Sequence, residues 1–152
     1  MGVFQKNICA CCLCPMHCAL KQFEDEEVTI FFRLPGEGQI LTISSVENFV
    51  VSGISGNGNP VCVAISQIDF FEPTNPKTPA DLVKPIRKSV KGECACVEDP
   101  ITNKFQVGDI VNINTIGPLQ VNAVGEGIVV TNFDGTQRIY STCNNILFVD
   151  ML

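Results

Sequence analysis

Cysteine is the residue type in this chain whose spacing invites chemistry. The stretch "NICACCLCPMHCALKQ", Asn7 to Gln22, holds Cys9, Cys11, Cys12, Cys14 and Cys18 together with the chain's single histidine, His17. A second element, "ECACVED", carries Cys94 and Cys96, and Cys62 and Cys143 complete a total of nine. Three chemistries suit such a set. Thiolates at Cys11 and Cys14, with His17 or Cys18 completing a tetrahedron, are the ligand types that zinc takes. A zinc ribbon wants two separated Cys-x2-Cys pairs, however, and the second is missing, as are the ferredoxin run and the Cys-x2-Cys-His of c-type haem. A lipid on the cysteine string is the second chemistry. Lys6 stands where a myristoylation motif wants Ser or Thr, and one lipid gives only marginal anchoring.

The third chemistry, cross-linking, uses the spacing best. Vicinal cysteines such as Cys11 and Cys12 point apart and reach two different partners. An odd count leaves at least one thiol free or bonded to another chain. Cys9, Cys11, Cys12, Cys14, Cys18, Cys94 and Cys96 are therefore the expected interchain disulfide donors, and Cys11, Cys14, His17 and Cys18 the alternative metal set. No cofactor is expected. Cys143 reads as a small core hydrophobe. No Ser-His-Asp or Cys-His constellation can be drawn, because His17 lies outside the segments that look able to fold around a site. The expectation is that the chain is not an enzyme.

The elements that must position these thiols are read from the remaining sequence. The chain has 152 residues, 45% of them apolar, enough for a core, and a formal charge of −6. That charge disfavours nucleic acid and anionic membranes, so neither is an expected partner. Lys77, Lys84, Arg87, Lys88 and Lys91 form one basic patch, and Glu24-Asp25-Glu26-Glu27 one acidic run. Each is either a solvated surface or half of a contact between subunits. The apolar stretch from Ile8 to Leu20 is about 13 residues, too short to span a bilayer. "MGVFQKN" is not expected to open a secretory signal, and that expectation sets a cysteine-rich composition against a compartment that keeps thiols reduced.

The body repeats itself. Laying Gly38–Phe71 over Gly117–Val149 at an offset of 79 matches Glu47 with Glu126, Val50-Val51 with Val129-Val130, and upstream Val28 with Val107. After a one-residue deletion, Val61 falls on Ile139, Cys62 on Tyr140, Ile65 on Cys143 and Phe70 on Phe148. Each copy reads as five short strands, rich in Val, Ile and Thr, divided by Gly and Asn turns and with a 3₁₀ turn before the fifth. The expected fold is all-β: two tandem SH3-like or Sm-like five-stranded barrels. A Cys-rich arm spans 1–22, the first barrel 23–72, a Pro- and Lys-rich linker 73–104 and the second barrel 105–152.

"CACCLCPMHCALKQ" followed by a barrel ending "VCVAISQIDFF" resembles small cysteine-rich proteins of spore-forming bacteria, associated with the spore coat and exosporium, some with Sm-like domains. The resemblance implies a subunit made without a signal peptide in the mother cell, assembled with reduced thiols and oxidised after lysis. It implies a self-assembling structural protein of a spore surface layer or appendage fibre, with itself and other spore-surface proteins as partners. A metal-binding module and an Sm-like nucleic-acid binder are the alternatives, though no basic, aromatic nucleotide pocket is found.

Overall fold

Short runs of β-branched and aromatic residues, cut by two-residue turns that tolerate positive φ, produce an antiparallel meander. The computed structural model describes residues 13–32, 38–83, 104–142 and 149–152. Ten strands are present among the described residues: β1 Glu27–Phe32, β2 Gln39–Glu47, β3 Val50–Ser55, β4 Pro60–Ala64, β5 Ile68–Pro73, β6 Ile110–Ile113, β7 Ile116–Gly125, β8 Ile128–Phe133, β9 Thr136–Ser141 and β10 Val149–Met151. A 3₁₀ turn at Ile65–Gln67 leads into β5, as expected, and another, Pro79–Leu82, follows it. Residues 13–21 form a helix, α1. The protein is all-β, with one helix among the described residues.

All ten strands belong to one sheet in the order β10-β6-β7-β8-β9-β5-β1-β2-β3-β4. The sheet is open, where the sequence led us to expect two closed barrels. Its two halves share a strand order: β5-β1-β2-β3-β4 recurs as β10-β6-β7-β8-β9. Local detail recurs as well. Asp25 N donates to Ile43 O at 2.7 Å and Ile43 N to Glu26 O at 3.0 Å; Gly108 N donates to Val121 O at 2.8 Å and Val121 N to Asp109 O at 2.9 Å. Asp25 and Gly108 both carry positive φ, 68° and 95°. Thr74 N bonds Glu27 O as Leu152 N bonds Ile110 O, each at 3.1 Å.

These matches correct the sequence register, by one residue over the body of the repeat and by four upstream of it. The β2–β3 turn lies between Glu47 and Val50, and the β7–β8 turn between Gly125 and Ile128. Val50 and Val51 thus correspond to Ile128 and Val129, not to Val129 and Val130. Glu47 corresponds to Gly125, not to Glu126. Ile65 N bonds Phe49 O just as Thr142 N bonds Gly127 O, so Ile65 matches Thr142 and Cys62 matches Ile139. Val28 corresponds to Val111, not Val107, since each sits opposite a leucine, Leu41 or Leu119, on the next strand. In this register the two interiors agree: Val28, Ile30, Leu41, Val46 and Val51 stand where Val111, Ile113, Leu119, Val124 and Val129 do.

The core is divided in two. One cluster lines the inside of the second half, with Val111, Ile113, Leu119, Val121, Val129 and Tyr140. The other joins the inside of the first half to α1 and to Ala123, Ile128, Val130 and Ile139 on the outer face of β7–β9. This is why Ile128, Val129, Val130 and Thr131 are all buried. A strand covered on both faces shows a continuous apolar run in place of alternation.

Candidate functional site

The helix that carries two of the cysteines follows from its sequence. Leu13, Met16 and Leu20 recur at spacings of three and four, with Ala19 beside them, which makes one apolar stripe. Met16, Ala19 and Leu20 are buried, whereas Cys14 is exposed and Cys18 half-buried. Phe23 N closes the last turn on Leu20 O at 2.9 Å, and the Phe23 ring meets Phe71 edge-on at 5.4 Å. Residues 13–21, expected within an arm standing clear of the barrels, instead pack against both halves of the sheet. Cys9, Cys11, Cys12, Cys94, Cys96 and Cys143 lie outside the described residues, as do Lys84, Arg87, Lys88 and Lys91.

His17 points at the first half. Its neutral ring, with the proton on Nε2, donates to Val46 O at 3.2 Å, and Lys21 Nζ reaches the same carbonyl at 3.3 Å. The ring also meets Phe49 edge-on at 5.3 Å, against a turn in which Asn48 and Phe49 both have positive φ. Burial, and secondarily the Lys21 charge, push the His17 pKa below its ordinary value. Of the alternative metal set, Cys14, His17 and Cys18 share α1. Among the described residues, no three His, Cys, Asp or Glu side chains are gathered as metal ligands. Cys14 and Cys18 instead border a cleft shared with Leu82, Glu126 and Ile128. Gly127 lets α1 approach there, because a Cβ on it would lie 2.7 Å from Pro15 Cγ.

Where the two halves meet, β5 pairs with β9, placing Phe70 opposite Tyr140 and Phe71 opposite Ile139. Arg138 locks the junction. Its Nε donates to Glu72 at 2.6 Å, Nη1 donates to Tyr140 Oη at 3.3 Å, and the guanidinium lies 4.5 Å from the Phe70 and Phe133 ring centres. Burial raises the Tyr140 pKa, against the opposing pull of Arg138. Beside it, Lys77 N donates to Gln137 Oε1 at 3.2 Å and Gln137 Nε2 returns a bond to Lys77 O at 2.8 Å. Lys77 Nζ pairs with Glu26 at 2.8 Å, so this part of the acidic and basic patches meets within one chain.

The junction uses one edge from each half and leaves the other two, β4 and β10, as the ends of the sheet. Among the described residues no strand covers either. Cys62 sits on the β4 edge, exposed, with its Sγ 3.7 Å from Ser52 Oγ. The strand and turn pattern of the sequence does not single out either edge. Pro60 was the available signal, because proline in a strand is confined to edges and strand ends. Among the described residues no helix is long and apolar enough to cross a membrane. No family model, curated protein or solved structure matches the chain.

Proposed function

We propose that the chain is a self-assembling structural subunit built of two Sm-like, SH3-like five-stranded modules, with interchain disulfides fastening neighbours after assembly. The setting that accords with its sequence resemblance is a spore surface layer or appendage fibre. The observation that carries the reading is the open ten-stranded sheet. The chain joins its own two similar halves strand edge to strand edge, and it ends in two further edges of the same kinds. Uncovered edges are templates for another chain, and most monomeric proteins blunt them. Thiols fit the same reading. Cys14 and Cys62 are exposed, and Cys9, Cys11 and Cys12 precede α1 in the sequence. No catalytic role is assigned.

Electron microscopy of the purified full chain, with gels run with and without reductant, tests this. Regular filaments or lattices are expected, with a reductant-sensitive ladder on the gel. Serine at both Cys11 and Cys12 should leave folding intact and weaken the ladder. Dispersed monomers that run as one band without reductant would sink the reading.

A further inference from the structure

We propose that the β4 edge of one copy receives the β10 edge of the next, in the register of the internal β5–β9 junction. Cys62 then stands opposite Val149 of the neighbour, Val61 opposite Asp150 and Pro60 opposite Met151. This rests on the self-assembly reading and specifies its surface.

The equivalences established above fix the register. β9 is the fourth strand of its half and β5 the fifth of the other; the unused fourth and fifth strands are β4 and β10. Ile139 corresponds to Cys62, from the matched bonds of Ile65 and Thr142. Phe71 corresponds to Val149, because Phe71 pairs with Ile30 as Val149 pairs with Ile113. The observed pair Phe71–Ile139 therefore maps onto Val149–Cys62.

Backbone direction agrees. In an antiparallel strand, successive residues turn their N–H and C=O groups to alternate neighbours. Ile65 N bonds Phe49 O and Ser55 N bonds Asn59 O, so Asn59, Val61, Val63 and Ile65 face β3, and Pro60, Cys62 and Ala64 face outward. Leu152 N bonds Ile110 O, so Asp150 and Leu152 face β6 while Val149 and Met151 face outward. The outward groups of Cys62 and Val149 are then the ones that meet. Pro60 has no N–H and ends the seam, as Pro73 on β5 ends the internal junction.

The side chains say how strong the seam is. Apolar groups are exposed on both sides of the seam: Ile54 of β3, 42% exposed, is paired with Pro60, and Met151, 50% exposed, would lie opposite Pro60. They share one face across the seam and cover each other. Val61 and Asp150 stand where Arg138 and Glu72 lock the internal junction, so the ion pair and its aromatic stacking are missing. The seam between copies is accordingly weaker than the junction within one. Because each copy offers two different edges, the contact is heterologous and extends head to tail.

The test uses the full chain carrying Val149→Cys, prepared as a mixture of isotopically light and heavy protein and oxidised with diamide. Directly bonded partners lie about 5.5 Å apart at Cα, inside the range of about 4.4–6.8 Å that a disulfide bridges. A light–heavy disulfide between Cys62 and position 149 is expected as the dominant new peptide. Asp150→Cys, on the opposite face, is expected to give at least about tenfold less linkage to Cys62. Hydrogen exchange on wild type guards against a folding defect: the Cys62, Val149 and Met151 amides, which the stated pairs cover, should slow on the order of tenfold or more upon assembly. Polymers in which those amides stay fast, or in which position 150 links as well as 149, overturn the seam and leave self-assembly standing. A wild-type chain that remains monomeric overturns both.

Discussion

Arg138 Nε meets the Glu72 carboxylate at 2.6 Å across the β5–β9 junction, joining two strands from different halves of the chain. The side chains are only 11% and 19% exposed. Glu72→Ala leaves a largely buried guanidinium without its counter-charge. The expected loss is about 3 kcal/mol, the lower end for a buried pair because the carboxylate keeps some water. Denaturant unfolding of the variant against wild type, under reducing conditions, measures it.

The corrected repeat makes a prediction that depends on register. Val51 and Val129 are fully buried interior equivalents, whereas Val50 is half-buried on the outer face. Val51→Asp and Val129→Asp should each cost about 4 kcal/mol or more, enough to unfold a marginally stable chain. Val50→Asp should cost within about 1 kcal/mol. Equal damage at Val50 and Val51, read by circular dichroism, would contradict the register.

His17 gives a pH dependence with a definite sign. Its folded pKa lies below the unfolded value of 6.5, so the neutral ring favours the docked helix. Protonation favours the unfolded state more than the folded one. Stability is fully present above pH 6.5 and is lost as pH falls through the depressed folded pKa. His17 is the only histidine in the chain, so its ring resonance can be followed by NMR without ambiguity. His17→Gln should remove the pH-dependent part of stability between about pH 7.5 and 5.5, a range in which no other side-chain type ordinarily titrates.

Gly127 is one of the places where α1 meets the second half. It has φ +67°, and an added Cβ would press on the Pro15 ring. Gly127→Ala combines backbone strain with that clash and should cost about 1–3 kcal/mol. Limited proteolysis should also cut residues 13–23 faster than in wild type. Gly135→Ala is the control, with a similar φ of +86° and nothing within 4 Å of its Cβ, so it should show strain alone.

The sequence by itself determined the class and the rhythm of this fold. Alternating Val, Ile and Thr between turns such as Asn48-Phe49 and Asp134-Gly135 required short antiparallel strands, and the order of strand and turn exposed an internal duplication. It did not determine the register of that duplication. "FVV" and "IVV" can be superimposed one residue apart with little loss of similarity, and only the hydrogen bonds of Ile43 with Asp25 and Glu26, and of Val121 with Gly108 and Asp109, decide between the two. The helix over 13–21 is hard to see in the sequence because Cys14, His17 and Cys18 are interleaved with the Leu13, Met16, Leu20 stripe. Tertiary structure alone decided that the two halves share a single open sheet. That choice depends on long-range contacts, Phe70 against Tyr140 and Arg138 against Glu72, between residues roughly seventy positions apart, which no local pattern encodes. The same contacts use one edge of each half, and so decide which two edges remain at the ends of the sheet.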